Sequence, residues 1–433
     1  MNRASQPDSS PDSPLATKAS PSRRTLHGLD WLNFLLADVQ TGVGPFLAIY
    51  LAGYRWNEER VGLALTVGGI AGILAQTPAG GLVDLLRQKR ALIGVAVAAL
   101  AAGSLIIALF PSFWPVMGAQ ILIGSTSSVF LPAVCAISLG VVGRAAFDAR
   151  QGRNQTFNSA GNVVAAVSMG LLGYLVSDRS IFFFVLALAF PTILVLRTID
   201  PTEIDYQLAR GANSGEQSAK DGDHGADHGE PGAKAESVWL LLRDRPLLLF
   251  LVCAVMFHFA NAAMLPLLGE MLAKGRGRSS MLFMSACVVT TQLVVTLLAS
   301  WSGRKAGTWG RKPLLLIAFG VLPIRAVLYT LTTKTVLLVA IQVLDGVGVA
   351  IFGVVSVLVI ADLTRGTGRF NLSLGAITTA VGIGASLSQS IAGSIVHHMG
   401  FRAGFLFLAA VALAAFAILY LFLPETHNSR LEA

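Results

Sequence analysis

Apolar runs of about twenty residues, divided by short clusters of charge, recur along all but the ends of this 433-residue chain. Twenty helical residues rise about 30 Å, the thickness of the hydrocarbon layer of a bilayer. In lipid, backbone N–H and C=O groups must find partners within the segment, which leaves helices or a closed barrel. No alternating pattern of about ten residues suggests barrel strands. Only 13% of the residues are charged, whereas a soluble domain of this size carries about a quarter. The 44 glycines would weaken a soluble helical protein but suit membrane helices that pack closely. The fold class expected is therefore an all-α membrane protein.

Twelve segments are predicted, near 29–52, 61–84, 91–110, 114–142, 154–176, 180–197, 247–272, 280–301, 313–332, 335–361, 371–396 and 402–423. Residues 1–26, rich in Ser and Pro without an apolar core, read as a disordered cytoplasmic tail rather than a cleaved signal peptide. Residues 27–197 and 247–423 form two six-helix bundles, with a linker at 198–246 and a second cytoplasmic tail at 424–433. The linker holds Asp223-His224 and Asp227-His228. In so polar a stretch this repeat reads as solvated chain before it reads as a metal site. Cys135, Cys253 and Cys287 lie inside apolar runs without CxxC spacing and read as small buried hydrophobes.

The net charge of +8 does not point to nucleic acid, because the basic residues are scattered over loop ends. With both termini cytoplasmic, cytoplasmic loops and tails hold 23 of the 32 Lys and Arg residues, and external loops hold eight. That asymmetry is the positive-inside pattern, and a bacterial inner membrane is the expected location.

Features of the first half recur in the second. Gln40 and Pro45 return as Asn261 and Pro266, 221 residues later. Gln120 and Gly124 return as Gln342 and Gly346 after 222, and Gly80 and Lys89 as Gly303 and Lys312 after 223. A parallel repeat of six helices gives two pseudo-symmetric bundles about an axis along the membrane normal. A solute then binds between them near the midplane and is exposed to each side in turn by rocking.

Two loops carry a resemblance. The first reads Gly80-Gly81-Leu82-Val83-Asp84-Leu85-Leu86-Arg87-Gln88-Lys89-Arg90, and the second runs from Gly303 to Gly310-Arg311-Lys312. Both resemble the GxLaDrxGrk loop of the major facilitator superfamily, whose twelve-helix plan matches over about 390 residues. The first copy has Arg87 where the second glycine is expected, and the second has Gly307 in place of the acid. Here Gly80, Asp84, Arg87, Arg90, Gly303, Gly310, Arg311 and Lys312 are the expected cytoplasmic gating residues. Glycine lets helices approach closely, and an acid at a helix end pairs with basic residues or with a neighbouring helix N-terminus. The family's proton-driven drug exporters carry an Arg where this chain has Gln120, and a Gly-Pro where it has Gly161-Asn162. The resemblance thus implies the fold more strongly than that subclass.

A charge at the bilayer centre costs about 2.5–3.5 kcal/mol on insertion scales, so each one needs a reason. Asp38 lies about ten residues into the first segment, among Asn33, Ala37, Gln40 and Gly44 at helical spacing. It reads as a cavity-facing carboxylate that titrates with transport, or as a structural acid bonded to a neighbouring helix. Arg325 and Asp345 are expected at similar depth and so to pair. His258 and Asn261 share a face, as do Gln342 and Asp345, and Asn154, Asn158 and Asn162 form a stripe. The cavity residues expected are Asp38, Gln40, Gln120, Asn158, Asn162, His258, Asn261, Arg325, Gln342 and Asp345. Gln76, Gln292 and Gln389 read as interhelical hydrogen bonds.

The function expected is secondary active transport of a small organic solute, coupled to protons and directed outward, by a monomer that needs no cofactor. Uptake of a metabolite or a metal chelate is the alternative, and a transporter-like sensor or scaffold a third reading. No GxxxxGK[ST] loop provides for ATP. An enzyme is not expected: His397-His398 is the one His pair at a helix end, and no carboxylate or Cys follows it at catalytic spacing.

Overall fold

The structure, a computed structural model, describes residues 21–41, 44–210, 244–364 and 370–426. Asp223, His224, Asp227 and His228 lie outside the described residues. Among the described residues there are fourteen α-helices and no strand. The first seven are α1 (Arg23–Thr41), α2 (Pro45–Gly53), α3 (Glu58–Leu85), α4 (Lys89–Leu109), α5 (Phe113–Ser127), α6 (Phe130–Leu175) and α7 (Ser180–Leu196). The second seven are α8 (Arg245–Ala262), α9 (Met264–Arg276), α10 (Ser279–Trp309), α11 (Arg311–Leu331), α12 (Thr335–Leu363), α13 (Phe370–Met399) and α14 (Phe401–Phe422).

Each expected segment falls on helix, with informative differences. The first and seventh are divided, α1 from α2 and α8 from α9. Pro45 opens α2, where its missing N–H would have had no partner in any case. The loop expected at residues 143–153 is instead helix, because the 46-residue α6 runs through it. Only Gly143 departs, at φ 76° and ψ 172°, a backbone that suits glycine, so two helices meet there at a sharp bend. The helix also begins at Arg23, inside the segment expected to be a disordered tail. Beyond α7, residues 201–203 and 208–210 form single 3₁₀ turns that pack on the first half. Asp205 N–H donates to Gly140 C=O, and Ser22 N–H donates to the Glu203 carboxylate.

Nine helical stretches among the described residues are long and apolar enough to cross a membrane, from Glu58–Leu85 to Phe401–Phe422. Ser180–Leu196 is apolar but shorter. The outward faces carry large apolar side chains such as Leu74, Phe190 and Leu297, each at least 70% exposed, a surface that suits lipid and not water.

The repeat is visible in the packing. Where α5 crosses α3, a Cβ at Gly124 would sit 2.0 Å from Gly68 O, so backbones touch. Where α12 crosses α10, a Cβ at Gly346 would meet Val294 and lie 2.9 Å from Thr291 O. The offsets of these pairs, 222 and 223 residues, are those of the sequence repeat.

The two halves meet at one end. Arg23, the loop before Arg311 and Glu425 lie at the terminal end, and the halves meet at the other, the opposite end. There α2 packs on α9, α3 on α13 and α6 on α10. A Cβ at Gly62 would lie 2.2 Å from Gln389 O, so α3 and α13 approach backbone to backbone. Thr66 Oγ1 donates to Ser386 O at 2.6 Å, and Ser390 Oγ donates to Thr66 Oγ1 at 2.8 Å. One hydrophobic core runs from the first half across this seam to Met264, Leu268, Met284 and Phe405. A second core, around Phe250, Phe257, Phe319 and Val355, belongs to the second half alone. Among the described residues, packing is continuous at the opposite end and the cores are separate toward the terminal end, so these residues are closed at one end.

Candidate functional site

Between the halves lies a cavity of about 370 Å³, within the range of small-ligand pockets. Gly44, Pro45, Leu65 and Gly69 line it from the first half, and Asn261, Pro266, Asp345, Ser386 and Gln389 from the second. A neighbouring space of about 310 Å³ shares Gly44 and Pro45 and adds Asn162, Thr291 and Gln292. The breaks between α1 and α2 and between α8 and α9 thus sit at the cavity, where irregular backbone in a membrane is tolerated.

Among the described residues its one charged wall residue is Asp345, and the structure pairs it as expected. Arg325 Nη1 donates to Asp345 Oδ1. Arg325 Nη2 donates to Asn261 Oδ1 at 2.6 Å, and Thr291 Oγ1 donates to Asp345 Oδ2 at 3.0 Å. The guanidinium also contacts Met264 Sδ and lies 5.9 Å from the ring of Tyr329. Four helices therefore converge on one neutral pair: α8 through Asn261, α10 through Thr291, α11 through Arg325 and α12 through Asp345. Arg325 is 2% exposed, so the pair's desolvation is met by hydrogen bonds on every side. Gln342 is buried one turn before Asp345 and donates to Tyr329 OH at 2.8 Å.

Other expected cavity residues sit elsewhere. Gln120 is buried between α3 and α5, where its Nε2 donates to Ala64 O at 3.3 Å beside Gly68. It holds helices together instead of lining the cavity. His258 turns from Asn261 into an aromatic cluster, 4.9 Å from the Phe352 ring, with Nδ1 3.3 Å from Ala254 O. The asparagine stripe divides as well. Asn162 borders the cavity, and its Nδ2 donates to Asn158 Oδ1 at 3.2 Å. Asn158 lines a separate space of about 210 Å³ with Asn33, Cys135 and Gln151. Cys135 is accordingly half-buried, unlike Cys253 and Cys287. Gln389 donates to Ala262 O at 2.9 Å as an interhelical bond, but it and Gln292 also border cavities. Asp38 and Gln40 lie on the last turns of α1, and their side chains fall outside the described residues.

The two loops at the terminal end differ. Gly80 has no atom within 4 Å of a notional Cβ, and Asp84 and Arg87 are exposed. Arg90 reaches back to Leu196 O and Ile199 O within its own half. In the second copy Arg311 pairs with Asp362 at 2.9 Å. Gly310, at φ 92°, lets the Glu425 carboxylate accept from Arg311 N–H at 2.8 Å and Lys312 N–H at 3.1 Å. The acid that Gly307 fails to supply thus comes from the ends of α12 and α14. Gly303 meets only Val354, at 3.7 Å.

Two charged clusters have no counterpart in the sequence reading. Asp30, 1% exposed, takes both Arg150 and Arg153 at 2.7 Å, with Arg150 Nε donating to Asn154 Oδ1. Glu58 takes Lys274 across the seam, with His397 Nδ1 3.8 Å from Glu58 Oε2. Glu270 is buried close by. The partner that the sequence around His397 lacks is thus Glu58, 339 residues away.

Broken helices around an inter-bundle cavity, a buried neutral ion pair in its wall and closure at one end are the features of a membrane transporter fold. The family comparison agrees: the major facilitator superfamily matches at residues 30–332 and 285–433. The chain belongs to that superfamily. Two uncharacterized MFS-type transporters, from two strains of Mycobacterium tuberculosis, are each 43% identical over 407 residues, 94% of either chain. The nucleoside transporter NupG superposes with a TM-score of 0.76 at 14% identity, covering 93% of this chain and 100% of its own. The peptide transporter POT, in complex with sulfate, gives 0.73 at 14% identity, covering 94% and 97%. At such identity these two structures speak for the fold alone. The protein is an integral membrane transporter of the MFS type.

Proposed function

We propose that the protein moves a small polar organic solute by alternating access, outward and in exchange for protons. The observation that carries this reading is the wall of the inter-bundle cavity. Asp345 is neutralised by Arg325, and the other polar wall residues among those described are Asn162, Asn261, Thr291, Gln292, Ser386 and Gln389. Amides and hydroxyls around a neutral pair offer hydrogen bonds of both senses without net charge, which suits a solute rich in donors and acceptors.

With both termini cytoplasmic, the closed opposite end is external, and this structure faces inward. Asp84 and Arg87, exposed here, then engage the second half when the terminal end closes. Asp38 is the coupling acid of this reading, by its place among small and polar residues on α1. A carboxylate taken from water into a low-dielectric wall favours its protonated form, which ties proton binding to the conformational cycle. Export rests on the loop resemblance.

Counterflow in proteoliposomes, run across a panel of polar solutes with and without a pH gradient, tests coupling and direction together. An internally acid gradient is expected to drive uptake of the exported solute into inside-out vesicles only if protons exchange for it. An Asp38→Asn protein that still concentrates solute against its gradient removes Asp38 from the coupling role.

A further inference from the structure

The seam at the opposite end holds a carboxyl group for which the cavity has no use. Glu270, on α9, is 2% exposed, and its Oε2 has no hydrogen-bond partner among the described residues. The charges acting on it are Glu58, which repels it, and Lys274, which attracts it. Lys274 is already engaged by the Glu58 carboxylate from α3, across the seam. From α13, His397 approaches Glu58 at 3.8 Å, while His398 and, on α14, Arg402 are exposed. Facing helix α2 and the residue after it bring only the phenols of Tyr50 and Tyr54, and Tyr50 OH is spent on the Ile107 and Ala108 carbonyls. Farther along the seam stand Asp178 and Arg278, which act on each other.

The charge count is short by one. Glu58 and Glu270 carry two negative charges when ionised, and Lys274 supplies one positive charge. Burying the surplus anion without a partner is strongly unfavourable, whereas burying the neutral acid is not. When the seam is open, water reaches Glu270 and the group can ionise.

We propose that Glu270 is a proton-binding site of the external seam: it takes up one proton from that side as the seam closes and gives it back as the seam opens. The proposal rests on the alternating-access reading, in which the halves part here. It assigns Glu270 a role separate from that of the cavity, since its proton exchanges with the external side alone. By linkage, a state that holds one more proton gains population as pH falls, by up to about tenfold per pH unit. External acid therefore favours the inward-facing state.

The test is a distance across the seam. Trp114 and Val336, 79% and 78% exposed at the starts of α5 and α12, take spin labels as Trp114→Cys and Val336→Cys in a background without native cysteines. Distances measured by pulsed electron resonance in lipid nanodiscs between about pH 5 and pH 9 report the closed fraction. On an Asp38→Asn background, which silences the coupling acid of the cavity, the expected result is a closed fraction that rises as pH falls, and a Glu270→Gln protein that stays closed throughout. A wild-type distribution that ignores pH overturns the proposal, whether or not the variant folds. So does a pH response that survives in Glu270→Gln, or one abolished by His397→Ala or Asp178→Asn instead. A seam that never opens under any condition, with solute present, counts against alternating access itself and separates that failure from this one.

Discussion

Arg325 and Asp345 are paired where α11 and α12 cross, yet only the aspartate reaches the cavity wall. The arginine is held behind it by Asn261, Met264 and the Tyr329 ring. The pair is thus both a weld between helices and the anchor of the cavity's polar face.

Removing one partner should cost far more than removing both. Asp345→Asn leaves a buried, unpaired guanidinium, and the expected loss is about 3–5 kcal/mol of unfolding free energy. Arg325→Met combined with Asp345→Leu should recover most of that, because no uncompensated charge remains. Urea unfolding in detergent measures the first effect, and counterflow is expected to find the stable double variant inactive.

A bulky residue at Gly62 should prevent closure of the opposite end. A Cβ there would overlap Gln389 O, and α13 backbone cannot yield as a flexible side chain would. Gly62→Leu is expected to fold, with the halves parted at that end. The same label pair at positions 114 and 336 should then read one long distance, insensitive to pH.

Glu425 caps the start of α11 by accepting from two backbone N–H groups that would otherwise lack partners. Glu425→Ala should lower stability by about 0.5–2 kcal/mol, the range for losing a helix cap. Truncating Asp362 should add to this only in part, since both acids act on Arg311. A double-mutant cycle on thermal unfolding checks the coupling.

Asp178, in the turn between α6 and α7, gives a pH dependence outside the membrane. Burial pushes its carboxyl above the usual carboxylate range, and Arg278 offsets this only in part. A carboxyl that binds its proton more tightly when folded stabilises the protein fully below the unfolded value, near 3.8. That contribution is lost as pH rises through the higher folded value. Asp178→Asn should therefore melt slightly higher than the wild type at neutral pH, with the difference closing near pH 4. Thermal scans of both proteins against pH measure it.

Much of this was legible in the sequence because a bilayer demands long apolar runs and penalises stray charge. The helices, the repeat and the Arg325–Asp345 pair follow from those two facts. Asp30 escaped notice for the opposite reason: it sits at the margin of a segment, where a charge needs no explanation, and its partners lie 120 and 123 residues away. Glu58 and Glu270 belong to helix ends that composition alone would leave in water. Their burial comes from the meeting of the halves, which no single helix records. Gln120's place in the repeat points to the cavity, whereas the structure buries it between α3 and α5. Helical phase places it on the α3 side of α5, and one sequence does not state which side faces the cavity.

The central claim is that one cavity opens to one face at a time. Ala385 lines that cavity from α13. Ala385→Cys, in a background without native cysteines, can be challenged with a membrane-impermeant maleimide in sealed vesicles of each orientation. Reaction from both faces is expected. Joining Thr66→Cys to Ser390→Cys by a disulfide, at the point where their side chains now share a hydrogen bond, should abolish labelling from the opposite face and leave it intact from the terminal face. Labelling from the opposite face that persists through the locked seam would contradict the account.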